Sequence, residues 1–138
     1  MTTLGRKIAH AAVALGATAA LALATTTTAS AATARNGVCE TGEFCLYYLS
    51  GLEGSVSDFT TSVPDYGTSQ PGCYEFKGAG YGQGLCVKNN ARSAWNRRAG
   101  AARVYYNSYY GGGDDVVNGY DYRDLAITYD ENASHAVG

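Results

Sequence analysis

The chain has 138 residues, ten Lys+Arg against twelve Asp+Glu and a formal charge of −2, with charged side chains at only 16% of positions. That length accommodates one ordinary domain with a core, and the mild acidity speaks against a nucleic-acid partner, because phosphate binding needs clustered positive charge. The short cluster Arg97, Arg98 and Arg103 reads as a solvated strand edge.

Residues 1–31 read as an export signal. Arg6 and Lys7 supply the positive start, an Ala/Leu-rich run follows over residues 8–24, and Ala29-Ser30-Ala31 forms a cleavage box. The run falls short of the ~20 apolar residues that a membrane span needs and is diluted by His10, Gly16 and Thr18. The expectation is a secreted monomer of one domain, residues 32–138, with no membrane contact. Loss of Arg6 and Lys7 leaves eight Lys+Arg against twelve Asp+Glu, a formal charge of −4.

Cys39, Cys45, Cys73 and Cys86 all lie in the mature part. An even count in an exported chain points to disulfides. Pairing Cys39 with Cys45 and Cys73 with Cys86 closes the shortest loops, so these bridges are expected among the three possible connectivities. Zinc is the rival, but neither spacing is that of a zinc knuckle.

Taken in order, residues 32–38 read as a mobile leader up to the first disulfide. Phe44 to Leu49 read as a strand ended by the Ser50-Gly51 turn signal, and Ser55 to Phe59 as a second. Residues 60–72 hold the only two prolines, Pro64 and Pro71, and read as a long loop. Short strands are expected at residues 73–76 and 85–87, flanking a glycine-rich turn, with a single helical turn near residues 91–96. Val104-Tyr105-Tyr106 and Asp115-Val116-Val117 read as strands about a Gly111–Gly113 corner, Asn118-Gly119 as a tight turn, and residues 125–129 as the last strand. Setting Tyr48 against Tyr106 also aligns Ser50 with Ser108 and Gly54 with Gly112, so two copies of one supersecondary unit are expected. The class is all-β, sandwich or small barrel.

Catalytic equipment is sparse. His135 stands alone near the C-terminus, the cysteines are spoken for, and neither a nucleophile elbow nor a zinc-binding helix motif is present. No enzyme activity and no required cofactor are expected. Calcium is a possible ligand, because hard cations take amide, carboxylate, hydroxyl and carbonyl oxygens. Asn89, Asn90 and Ser93 in one turn and Asp130 and Ser134 in another offer these. The alternative is that the same side chains cap their own turns. Twelve tyrosines include the pairs Tyr47-Tyr48, Tyr105-Tyr106 and Tyr109-Tyr110. On a strand one of each pair should face the core and the other a protein or saccharide partner.

The leader, the segment CETGEFCLYYLSGLEGS, the Asn89-Asn90-x-x-Ser93-x-Trp95 turn, the VYYNSYYGGG corner and the terminal Asn132-Ala133-Ser134-His135 together resemble the secreted Streptomyces metalloproteinase inhibitor family. The resemblance spans nearly the whole mature chain. It implies a βγ-crystallin-like sandwich of two Greek keys, and a partner that is a secreted metallopeptidase of the thermolysin type. It further implies inhibition by a rigid substrate-like loop, with Cys86-Val87 resembling the family's reactive bond. The Asn-Asn-x-x-Ser turn is similar to the calcium signature of microbial βγ-crystallins, so a calcium-binding module without inhibitory activity is the alternative function. Candidate inhibitory loops are residues 84–88 and 63–72.

Overall fold

A computed structural model describes residues 31–138. The expected export signal lies outside the described residues, apart from Ala31. Two antiparallel sheets face each other. The first is ordered β2-β1-β3-β6, from β1 (Phe44–Tyr47), β2 (Val56–Phe59), β3 (Ser93–Asn96) and β6 (Tyr122–Asp124). The second is ordered β5-β4-β7, from β4 (Ala102–Asn107), β5 (Gly111–Val117) and β7 (Ser134–Val137). Period-two alternation explains which side chains meet between them: Phe44 and Leu46 of β1 and Ala102 and Val104 of β4 point inward, while Arg103 stays outside. Phe59, Tyr66, Phe76, Val87, Val117 and Leu125 complete the core. The all-β expectation and both local disulfides hold: Cys39–Cys45 and Cys73–Cys86 are bridged, with Cα separations of 6.0 and 5.6 Å.

The two halves repeat at one constant sequence offset. Hairpin β1–β2 sets Phe44 against Phe59 and Tyr47 against Val56; hairpin β4–β5 sets Ala102 against Val117 and Tyr105 against Asp114. The same offset relates the left-handed residues Gly51 and Tyr109, Leu52 and Tyr110, and Gly54 and Gly112. Each half also sends a segment across. β6 joins β3 in the first sheet, and Val63 bridges to His135 of β7 in the second.

Several local expectations are corrected by long-range contacts. Residues 91–96 form no helical turn; Ser93–Asn96 is β3, drawn out between β1 and β6. Residues 73–76 and 85–87 are not strands but meet at one isolated bridge, Glu75 to Cys86. Gly111–Gly113 starts β5, and the corner is made by Ser108, Tyr109 and Tyr110. Residues 125–129 are not the last strand either. They wrap a buried carboxylate: Asp115 accepts from the N–H groups of Ala126 (3.1 Å), Ile127 (3.3 Å) and Thr128 (2.8 Å) and from the Thr128 hydroxyl (2.7 Å). A chain curled around one acceptor has no free N–H groups for a ladder. Residues 32–38 are also held, because Asp58 accepts from the N–H groups of Asn36 (2.9 Å) and Gly37 (2.8 Å), while the Arg35 guanidinium reaches Glu75 O (2.6 Å).

The tyrosine pairs divide unevenly. Tyr47 and Tyr48 are both half-buried, Tyr105 is half-buried beside an exposed Tyr106, and Tyr109 and Tyr110 are both exposed. The last pair sits at a turn, where strand alternation does not apply.

Candidate functional site

The segment after the glycine-rich turn is clamped from several sides. Gly84 N–H donates to Phe76 O (2.9 Å), Leu85 N–H to Gly82 O (3.0 Å), and Leu85 O accepts from Phe76 N–H (3.0 Å). Cys86 is fixed by its bridge to Cys73. Gly84 takes a φ of +84° with open space where a Cβ would stand, so the chain turns there without steric opposition. Val87 points the other way. Its side chain is fully buried, its N–H donates to Tyr74 O (2.8 Å) and its carbonyl accepts from Asn132 Nδ2 (2.9 Å). Of the expected pair Cys86-Val87, then, Val87 is buried and Cys86 is half-buried in its disulfide. The exposed apolar side chain of residues 84–88 is Leu85, at 46% exposure.

The second expected loop, residues 63–72, hangs from two core anchors. Val63 exchanges N–H and C=O bonds with His135, both 3.0 Å, and Tyr66 is fully buried with its hydroxyl 2.8 Å from His135 Nδ1. Because His135 Nε2 lies 2.9 Å from Thr61 O, which can only accept, Nε2 carries the proton and Nδ1 accepts from Tyr66. Burial first, then the charges of Arg35 and Arg98, push His135 down to about 4, so the ring is neutral. The loop meets residues 84–88 twice. Gln70 Nε2 donates to Gly84 O (3.0 Å), and Lys88 Nζ lies 3.0 Å from Asp65 Oδ1. Asp65 is held below the usual carboxylate range by the Gly67 N–H, then by Lys88 and Ser108.

The two candidate turns meet through backbone bonds as two matching arms, but Ser93 lies on β3 of the first sheet and Ser134 on β7 of the second. Asn89 N–H donates to Asn132 O (2.8 Å) and Asp130 N–H to Ala91 O (3.0 Å), both donors with left-handed φ. Ser93 Oγ donates to Leu49 O (2.6 Å) and accepts from Leu52 N–H (3.0 Å); Ser134 Oγ does the same with Asn107 O (2.7 Å) and Tyr110 N–H (3.1 Å). Asn90 Nδ2 bonds Cys86 O (2.9 Å). Asp130 receives Arg92 Nε at 3.1 and 3.2 Å from its two oxygens. A cation at Asp130 would have to displace a guanidinium, and Asn90, Ser93 and Ser134 already bond backbone groups of neighbouring segments. Among the described residues no group of three His, Cys, Asp or Glu could hold a metal. In the structure Asp130 is paired with Arg92.

The basic cluster is structural as well. Arg98 Nη1 bonds Gly42 O (3.1 Å) and Thr60 O (2.8 Å), Arg97 lies 4.6 Å over the Trp95 ring, and Arg103 pairs with Asp114 at 2.6 Å.

The family model for peptidase inhibitor family I36 matches residues 32–117. The chain belongs to that family. This inhibitor is therefore not an enzyme, and its partner is a peptidase. No curated protein matches the sequence significantly. Among solved structures, a chain described under the evolution of the eye-lens βγ-crystallin domain fold aligns with TM-score 0.55 and 16% identity, covering 74% of the inhibitor and 90% of that chain. A βγ-crystallin from an archaeon aligns at 0.50 and 17%, covering 72% and 100%. The N-terminal domain of Protein S aligns at 0.50 and 16%, covering 70% and 94%. At these identities the likeness shows the fold of the inhibitor and no more.

Sequence reasoning placed Leu85, Lys88 and Asp65 inside the candidate loops without assigning them roles, and gave Ser108 none beyond its place in the repeat. Leu85 carried a signal: it is the one exposed-type apolar residue between glycines and a cysteine. The other three are ordinary polar residues, and their proximity arises only when both halves of the inhibitor pack.

Proposed function

We propose that the inhibitor is secreted and acts on metallopeptidases of the thermolysin type by presenting residues 84–88 as a substrate-like loop. The reading is carried by the exposure of Leu85 on a backbone tied at Phe76, Gly82, Gln70 and the Cys73–Cys86 bridge. Such enzymes prefer an apolar residue on the carboxyl side of the cleaved bond, and Leu85 supplies one at the Gly84-Leu85 bond. Cleavage at Cys86-Val87 would instead require Val87 to leave the core, at a cost of about 1.5 to 3 kcal/mol for a buried aliphatic side chain. Because the loop is held before binding, little conformational entropy is lost on docking, and the bridge keeps severed ends together. The N-terminal Arg6-Lys7 and Ala/Leu run and the two disulfides support export.

The test is an inhibition assay of the chain against a panel of metallo- and serine peptidases, beside Leu85→Asp. A rise in Ki of at least about tenfold, or ~1.4 kcal/mol, with an unchanged melting temperature is expected for the variant. Equal inhibition by Leu85→Asp moves the site to another loop. Absence of metallopeptidase inhibition at micromolar protein rejects the reading.

A further inference from the structure

We propose that the peptidase-contact surface is composite: the tyrosine corner of the second half, Tyr109 and Tyr110, is latched by Lys88, Asp65 and Ser108 to the two loops of the first half, and the three segments meet the enzyme together. This rests on the reading of residues 84–88 as the inhibitory loop.

The latch is a closed ring of one cation, one anion and one hydroxyl. Lys88 Nζ lies 3.0 Å from Asp65 Oδ1 and 2.9 Å from Ser108 Oγ, and Ser108 Oγ donates to Asp65 Oδ1 at 3.1 Å. Serine beside lysine could suggest a nucleophile, but a lysine paired with a carboxylate is a protonated donor and cannot serve as a base. The ring therefore positions. Two further bonds tie the same segments: Tyr109 N–H donates to Pro64 O (2.6 Å), and Gln70 Nε2 to Gly84 O (3.0 Å). Charge is neutralised within the ring, which leaves the aromatic and aliphatic side chains around it to make the contact.

The corner itself carries the independent observation. Tyr109 and Tyr110 take φ of +60° and +62°, in the left-handed region that bulky side chains avoid. At the matching turn of the first half, Gly51 stands where Tyr109 stands here. Folding gains little from that tyrosine, since it is 75% exposed, with Tyr110 at 41% and Tyr106 at 45%. An aromatic residue kept in a strained backbone and turned to solvent points to a binding role, and exposed tyrosine is the residue type that anchors protein interfaces. Continuity with residues 63–72 and 84–88 makes the peptidase the occupant.

Tyr109→Gly separates the role from folding. Relief of the left-handed strain predicts an unchanged or raised melting temperature together with a Ki at least about tenfold weaker. Lys88→Met should weaken inhibition and speed hydrogen exchange at the Tyr109 amide, and Lys88→Arg should restore both. If Leu85→Asp abolishes inhibition while Tyr109→Gly and Lys88→Met inhibit like the parent, the composite surface is wrong and the single-loop reading stands. If the parent chain inhibits no peptidase, the reading and the surface fall together.

Discussion

Ser93 and Ser134 perform the same act in the two halves: each hydroxyl donates to the carbonyl that begins a hairpin turn, Leu49 at 2.6 Å and Asn107 at 2.7 Å, and accepts from an N–H further round it. Both side chains are fully buried. Their bonds close the left-handed turns on which residues 49–54 and 107–112 depend.

Replacing either serine by alanine leaves a part-buried carbonyl and a turn N–H without their side-chain partner. A loss of about 1 to 3 kcal/mol is expected for each, read by chemical denaturation. Because the two lie in different halves, the losses should add within about 0.5 kcal/mol. Strong non-additivity would show that the arms act as one unit.

Arg92 fills the place of charge beside Asp130, so millimolar calcium should leave the melting temperature where it is. A ligand that binds only the native state must raise it. A calcium-dependent rise would restore the Asn89, Asn90, Ser93, Asp130 and Ser134 arms as a metal site.

Two buried groups give stability opposite pH slopes. His135 stays neutral in the fold down to about 4, against 6.5 in the unfolded chain. The unfolded state therefore binds more protons in that window, and stability falls as pH drops from 6.5 towards 4, by up to about 3 kcal/mol. Glu43 behaves the other way. Burial first, then the charges of Asp58 and Glu40, raise it from 4.5 to about 7, and its Oε1 has no partner among the described residues. The folded state then holds the extra proton, so stability falls as pH rises from 4.5 to 7. Between pH 4.5 and 6.5 the two slopes oppose and largely offset, so Glu43→Gln should leave a stability that rises with pH across that window, whereas His135→Phe should leave one that falls. Unchanged profiles from thermal melts across pH 4 to 8 would refute the assignment.

Loss of the Cys73–Cys86 bridge should cost about 2 to 4 kcal/mol and should release the backbone that carries Leu85. The variant Cys73→Ser with Cys86→Ser is expected to stay folded at low temperature and to be cleaved slowly by the peptidase it formerly inhibited. Mass spectrometry of the incubated mixture reads this, and intact variant after long incubation would place the critical loop elsewhere.

The internal repeat, the two disulfides and the scarcity of catalytic groups were legible in the residues alone. Each rests on short-range signals: turn glycines at a fixed offset, cysteines closing short loops, and the absence of paired titrating groups. The family was legible too, from short motifs spread along residues 32–117. The facing of Val87 was not, because a three-residue segment at one isolated bridge has no periodicity to say which side chain enters the core. Nor was the fate of residues 125–129, whose apolar pattern looks like a strand until Asp115 from the preceding hairpin captures three of their N–H groups. The meeting of Lys88, Asp65 and Ser108 depends on packing the second half against the loops of the first. Such contacts join residues distant in sequence, and only the closed tertiary structure brings them within hydrogen-bond reach.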